Sequence, residues 1–226
     1  MYLTLATTAE ADDGIVQPDF HARGQQTHKL YQRVQSGRHL FLEGDEARHV
    51  YEVQRGILRL ARVMENGRRQ IVAFGLPGDV VGFPAGDLHH TDCDAICDTV
   101  VLAHSRLALE NSDMDRDLHH RLMQAALKEI CAMQDHFMML SSRSAAEKIA
   151  SFLLTLADRT GQACGPYVSV DLAMRRVDIA DFLGLTTETV CRTITQFRKD
   201  GLIALDTAQK VIIRDLDALR HRAEPA

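Results

Sequence analysis

The 226-residue chain has no tryptophan, 5 prolines, and 5 cysteines among which no Cys-x-x-Cys pair occurs. An odd number of thiols without that spacing excludes a disulfide framework and a zinc ribbon, so the cysteines read as reduced. No run of about 18 apolar residues is present, which removes a membrane-spanning helix. The first residues, "MYLTLATTAEADDG", lack the basic start and apolar run of a signal peptide. A cytoplasmic location is expected. Despite 11 histidines there is no His-x-His, the spacing that puts two metal ligands on one strand face of a cupin-like oxygenase. A nucleophile elbow, a P-loop and a dinucleotide loop are missing as well. A cupin-like metal enzyme is therefore a remote reading, and no catalytic residues are expected.

What is present is apolar content of 46%, enough to pack one large domain or two small ones. The net charge of -5 argues against a wholly basic nucleic-acid binder, but the acid is unevenly placed. Residues 1–140 hold 14 Lys+Arg against 20 Asp+Glu, and residues 141–226 hold 12 against 11. From about Gln35 to Ala103 short apolar–polar alternations are broken at Glu43-Gly44-Asp45, Arg55-Gly56, Glu65-Asn66-Gly67 and Pro77-Gly78-Asp79. That rhythm predicts an antiparallel sandwich or roll. The residues before about His28 show little pattern and read as an arm or a short helix.

Near Ser112 the period changes. "SDMDRDLHHRLMQAALKEICAMQDHFMML" predicts a long helix over 112–140, with Ser112 as N-cap and Asp113 and Asp115 in an acidic first turn. Leu118, Ala125, Ala132 and Met139 recur every seven residues, as do Met123, Ile130 and Phe137 on roughly the opposite face, joined by Leu127. Two apolar seams need two neighbours. Either the helix is buried within one domain, or one seam lies on the chain's own β-roll and the other pairs with a second copy as a coiled coil. The pattern does not say which seam is which.

"SRSAAEKIASFLLTLADRT" predicts another helix ending before Gly161, and "RRVDIADFLGLTTETVCRTITQFRKDGLIAL", Arg175 to Leu205, has the form of a helix-turn-helix. Ile179, Ala180, Leu183, Gly184, Leu185 and Val190 occupy the apolar, small and glycine places. Thr186 is an N-cap, with Glu188 in the acidic first turn. Val190, Thr193, Ile194 and Phe197 form the packing face of the second helix. Glu188, Arg192, Thr195 and Lys199 lie opposite, with Cys191 at the edge. Arg and Glu there suit guanine and exocyclic amino groups, although a charged solvated face has the same look. Two strands, Leu202–Leu205 and Lys210–Arg214 around a turn at Asp206–Gln209, then supply a wing, which tips the balance toward DNA.

These stretches, with "LFLEGD" and "LPGDVVGF" earlier, resemble the CRP/FNR family of bacterial transcription regulators over nearly the whole chain, and most of all its FNR and FixK branch. The resemblance completes an α+β expectation: an N-terminal antiparallel, jelly-roll-like β-roll in 1–111, a dimerisation helix in 112–140 and a C-terminal winged helix-turn-helix in 141–226. FNR-like members carry Glu, then Ser and Arg three and four residues on; here these are Glu188, Cys191 and Arg192. Thr187 stands where cyclic-AMP receptors have Arg. The match implies a TTGAT-like palindrome read by a homodimer through Glu188, Cys191 and Arg192, and with Thr187 and the face residues Thr195 and Lys199 these make up the expected DNA contacts. It also implies activation through RNA polymerase under low oxygen.

Two sensors of that family lack their residues. An iron–sulfur cluster needs four thiolates, yet residues 1–92 contain no cysteine and Ala103 holds the internal ligand place after "DTVVL". A cyclic nucleotide needs a cation for its phosphate, whereas Gly78 to Asp98 hold five aspartates and no Lys or Arg. No cofactor is expected, and no small-molecule effector is evident. A regulator gated by haem or another small molecule in the β-roll is the alternative.

His89, His90, Cys93 and Cys97 are competent metal ligands. Read as one strand, however, Cys93, Ala95, Cys97, Thr99, Val101 and Ala103 share a face opposite Asp92, Asp94 and Asp98, which is a half-buried core pattern, so no metal is expected. Cys191 differs, lying near a helix N-terminus beside Arg192 on a face that must be open in free protein. It is either a redox off-switch at the DNA or a small residue standing in for serine.

Overall fold

The computed structural model describes residues 30–224 apart from positions 66, 85, 114, 143 and 208, so the arm or short helix expected before His28 lies outside the described residues. Eight strands come first: β1 (Leu30–Val34), β2 (His39–Phe41), β3 (His49–Arg55), β4 (Leu58–Val63), β5 (Arg69–Gly75), β6 (Val80–Val81), β7 (Asp92–Ala95) and β8 (Thr99–Ser105). They form two antiparallel four-stranded sheets, ordered β1-β8-β3-β6 and β2-β7-β4-β5. Alternating inward residues, among them Val34, Phe41, Val53, Leu58, Leu60, Cys93 and Val101, fill the space between them. This is the expected β-roll.

One expectation fails within it. The single strand through Cys93–Ala103 is two strands in opposite sheets, because the chain turns at Ile96–Asp98. The Ile96 N–H donates to the Ile57 carbonyl at 2.9 Å and the Thr99 hydroxyl to the Cys97 carbonyl at 2.8 Å, which fixes that turn. Cys93 and Ala95 face the core as expected, but Asp94 is buried too, held by Arg59.

A short helix α1 (Arg106–Glu110) leads to α2 (Arg116–Ser142). The long helix starts four residues after Ser112, because the Asp115 carboxylate, not the Ser112 hydroxyl, accepts the Leu118 N–H at 2.9 Å. Then come α3 (Ala145–Thr160), β9 (Gln162–Cys164), β10 (Tyr167–Asp171), α4 (Arg176–Leu183), α5 (Thr187–Lys199), β11 (Ile203–Thr207), β12 (Lys210–Ile213) and α6 (Leu216–Ala223). Ser144 and Glu147 close a reciprocal capping box on α3. At the other end of that junction the buried Lys148 ammonium donates to the Leu140 carbonyl at 3.0 Å, placing a cation on the last turn of α2.

The C-terminal helices do not pack by themselves. Ile57, Ala61, Ile71, Phe74 and Leu76 belong to one core with Phe152, Ile179, Phe182, Val190 and Phe197. The outer face of the β4–β5 hairpin is thus the floor on which α3 and α4 rest, with the Phe74 and Phe182 rings 5.2 Å apart.

Candidate nucleic-acid interface

The junction of α4 and α5 is set by Gly184, at φ 62° and ψ 40°, a left-handed conformation that glycine adopts without penalty. The Leu185 N–H closes back on the Ala180 carbonyl at 2.9 Å, and Ala180 is wholly buried where the helices cross. Thr186 then caps α5, its hydroxyl accepting the Thr189 N–H at 3.1 Å. Val190, Ile194 and Phe197 are buried against the domain.

The other side of α5 is open. Thr187, Glu188, Cys191, Arg192 and Lys199 are exposed, whereas Thr195 is half-buried and donates its hydroxyl to the Cys191 carbonyl at 2.8 Å. Among the described residues the side chains of Glu188, Arg192 and Lys199 make no ion pair or hydrogen bond. A helix whose outer charges are spent on nothing among the described residues, beside a hairpin β11–β12, has the form of a major-groove reader.

Two arginines beside this face went unused in the sequence reading. Burial lowers the Arg176 pKa, and the charge of Cys191 acts on it in the opposite direction, so a guanidinium of α4 lies within electrostatic reach of the thiol on α5. Arg175 precedes it and pairs with Asp178 at 3.1 Å. Both were visible as the "RR" that opens the motif, but only a structure shows which way each points.

Along α2 the structure separates the two seams. Leu118, Ala125, Ala132 and Met139 turn inward and are half-buried or buried. Met123, Leu127, Ile130 and Phe137 are exposed, Phe137 at 70%, and Met133 and Met138 join them. Met133 lies three residues after Ile130 and four before Phe137, the spacing of a coiled-coil seam; its signal was present in the sequence and was overlooked.

His89, His90, Cys93 and Cys97 do not converge. The His89 ring is buried and stacked on Phe41 at 3.7 Å, His90 is exposed, and Cys93 is sealed in the core where burial pushes its thiol pKa strongly up. Among the described residues no group of three His, Cys, Asp or Glu side chains is placed to hold a metal ion. Nor is any helix of the described residues long and apolar enough to cross a membrane.

Residues 31–112 match the family described as cyclic nucleotide-binding domain, and residues 147–222 match the Crp-like helix-turn-helix domain. The chain is 39% identical over 184 residues to the nitrogen fixation regulation protein FixK of Azorhizobium caulinodans, covering 80% of this chain and 74% of that one. The chain belongs to the CRP/FNR family of transcription regulators. Other family members agree: FixK of Rhizobium meliloti is 35% identical, covering 85% of this chain and 86% of its own. Among solved structures, FixK2 from Bradyrhizobium japonicum superposes with a TM-score of 0.79 at 32% identity, covering 88% of this chain and 98% of that one. A DNA-binding regulator, not an enzyme, is what this CRP/FNR chain is.

Proposed function

We propose that this CRP/FNR regulator is a FixK-like activator that reads a TTGAT-like palindrome as a homodimer in the cytoplasm and recruits RNA polymerase at genes used under low oxygen. The observation that carries the reading is the uncommitted outer face of α5, where Glu188, Cys191 and Arg192 stand in the FNR-like spacing. Thr187, Thr195 and Lys199 complete the contact: Arg192 takes a guanine edge, Glu188 an exocyclic amino group, and Lys199 a phosphate. Dimerisation along Met123, Ile130, Met133 and Phe137 sets two α5 helices about 34 Å apart, in successive major grooves.

The protein works in this reading with neither an iron–sulfur cluster nor cyclic AMP. The residues present do not suit either group. Cys93 is sealed in the core and Cys97 is half-buried in the turn after β7, the exposed Cys131, Cys164 and Cys191 lie on other elements, and among the described residues no three His, Cys, Asp or Glu side chains gather as a ligand set. The stretch from Gly78 to Asp98 supplies no Lys or Arg of its own for a nucleotide phosphate, and the Asp79 carboxylate is taken by Arg159 at 2.8 Å.

Control passes instead through Cys191. Its thiolate sulfur attacks one oxygen of peroxide, the O–O bond breaks, hydroxide leaves, and a sulfenic acid forms; further equivalents give sulfinic and sulfonic acids. An oxyanion at that place repels DNA phosphate.

A gel-shift salt series with a TTGAT-type palindrome and a scrambled duplex, on reduced metal-free protein without added ligand, tests the reading. Specific binding is expected. Failure to bind would overturn the ligand-free mechanism and point to an effector in the β-roll, such as haem. Equal peroxide sensitivity of operator binding in wild type and Cys191→Ser would remove the cysteine switch alone.

A further inference from the structure

The arginines of the β-roll divide into two sets. Arg48, Arg59, Arg62, Arg69 and Arg106 each have a carboxylate partner, and Arg68 is engaged as well. Arg33, Arg38 and Arg55 have no ion-pair or hydrogen-bond partner for their guanidinium groups among the described residues. These three line one groove of about 760 Å³ at the end of the roll where β1 stops, β3 stops and β8 begins. His39, Gln32 and Gln54 line it with them, and among the described residues Asp98 is the only acidic side chain there.

The clustering is built by strand register. Arg33 of β1 and Arg55 of β3 both pair with Val100 of β8, one from each side. Directly opposed residues of antiparallel strands share a face, so the two guanidinium groups rise from the same side of the sheet, two strand spacings or about 10 Å apart at their backbones. A bulge at Gln54 produces this match, because the register shifts between Val53 and Arg55. Without the extra residue Gln54 would oppose Val100 and Arg55 would turn away.

Arg38 is held just as firmly. The turn before it is clamped by the Ser36 N–H on Asp98 at 2.9 Å, the Ser36 hydroxyl on the Ile96 carbonyl at 2.9 Å and the Gly37 N–H on the Ala95 carbonyl at 2.7 Å. One oxygen of the Asp98 carboxylate is thereby committed to the backbone. Gly56 follows Arg55 with φ +89°, and a Cβ there would collide with the Thr99 side chain and the Asp98 carbonyl, so the β3–β4 turn is pressed against the start of β8.

Three cations set against the single carboxylate of Asp98 leave an excess of positive charge, whereas the other described β-roll arginines are partnered. Guanidinium groups bind phosphate and carboxylate through paired parallel N–H donors. A groove of this size takes a metabolite-sized ligand. We infer that the groove of Arg33, Arg38 and Arg55 is a binding site for a small polyanion, one bearing phosphate groups or clustered carboxylates. The inference concerns the β-roll surface and stands apart from the DNA-reading face.

The test is isothermal titration of the reduced full chain with inorganic pyrophosphate and, separately, citrate, each against sodium chloride of matched ionic strength. Saturable binding of at least one is expected, and which one binds distinguishes a phosphate ligand from a polycarboxylate. Arg33→Gln, Arg38→Gln and Arg55→Gln should each weaken it about tenfold or more. Arg62→Gln, which alters an exposed arginine paired with Glu43 outside the groove, should change it less than about twofold. The three groove arginines are exposed and unpaired, so unchanged thermal midpoints will show that the variants fold. No binding above the chloride control, or binding untouched in the triple variant, overturns the site. So does arginine-dependent binding of duplex DNA where neither small anion binds.

Discussion

The Arg59 guanidinium on β4 reaches the Asp178 carboxylate on α4 at 2.7 Å, tying the β-roll to the first helix of the DNA-reading motif across 119 residues of chain. The same guanidinium grips Asp94 on β7 through two hydrogen bonds of 3.0 and 2.7 Å. Arg69 at 3.0 Å and Arg175 at 3.1 Å also converge on Asp178, whose side chain is 1% exposed. Burial alone would raise the pKa of this carboxyl. The hydrogen bond from Arg175 and the charges of Arg59, Arg175 and Arg69 outweigh it, and the pKa falls below the ordinary value.

Asp178→Ala leaves the partly buried Arg59 with one carboxylate instead of two and strips Arg69 of its partner. Loss of one partner from a buried ionic cluster costs about 3–5 kcal/mol. Urea unfolding at neutral pH should show that loss. Because the folded pKa is depressed, the wild-type contribution is full above the unfolded carboxyl value and disappears only as pH falls through the lower folded one. The gap between wild type and variant should therefore stay constant from pH 7 to 5 and close only in strong acid.

Arg192 and Lys199 are both exposed cations of α5, yet they should fail differently when cut to alanine. Arg192→Ala should cost about 1–3 kcal/mol on the operator and relax selection at one guanine. Lys199→Ala should weaken specific and scrambled duplexes alike and reduce the salt slope by about 1. A loss at Arg192 that is equal on every sequence would assign it to phosphate.

The winged helix-turn-helix was legible because its signals are local. Gly184, Thr186 and the 190-194-197 apolar face act within one or two turns of chain, and each lies in the structure where the pattern puts it. The strand rhythm up to Val81 was legible for the same reason. What the text hid was long-range. Nothing in "RLAR" or "DCDA" marks Arg59 and Asp94 as partners, or says that the segment after Ala95 changes sheets. Period-seven spacing likewise showed two seams on α2, but only the packing of Leu122 with Val50 and Ala108 shows which of them the chain covers itself.

The uncovered seam of α2 predicts a separation between folding and assembly. Phe137 is 70% exposed in the single chain, so Phe137→Asp should leave monomer stability within about 0.5 kcal/mol. A charge at the centre of a paired seam is excluded from it. Sedimentation should show the variant as a monomer, with operator affinity lower by about 10²-fold or more as the two half-sites lose their linkage. A variant that remains dimeric would place the interface elsewhere.

His136 gives the protein a pH dependence of its own. Its ring stacks on Phe182 at 4.1 Å with 15° between planes, joining α2 to α4, and burial pushes its pKa down to about 4. Unfolded, the imidazole takes its proton near pH 6.5. Between those two values the unfolded chain binds a proton that the native one refuses, so stability is indifferent to this group above about pH 6.5 and falls as pH drops toward 4. His136→Phe keeps an aromatic ring against Phe182 and removes the proton. His89, which burial also holds below its ordinary value, remains in both proteins and cancels from their difference. Urea midpoints for wild type should therefore decline more steeply than those of His136→Phe between pH 6.5 and 5. Parallel curves would show that the ring is reached by water and titrates in the folded protein as it does in the unfolded one.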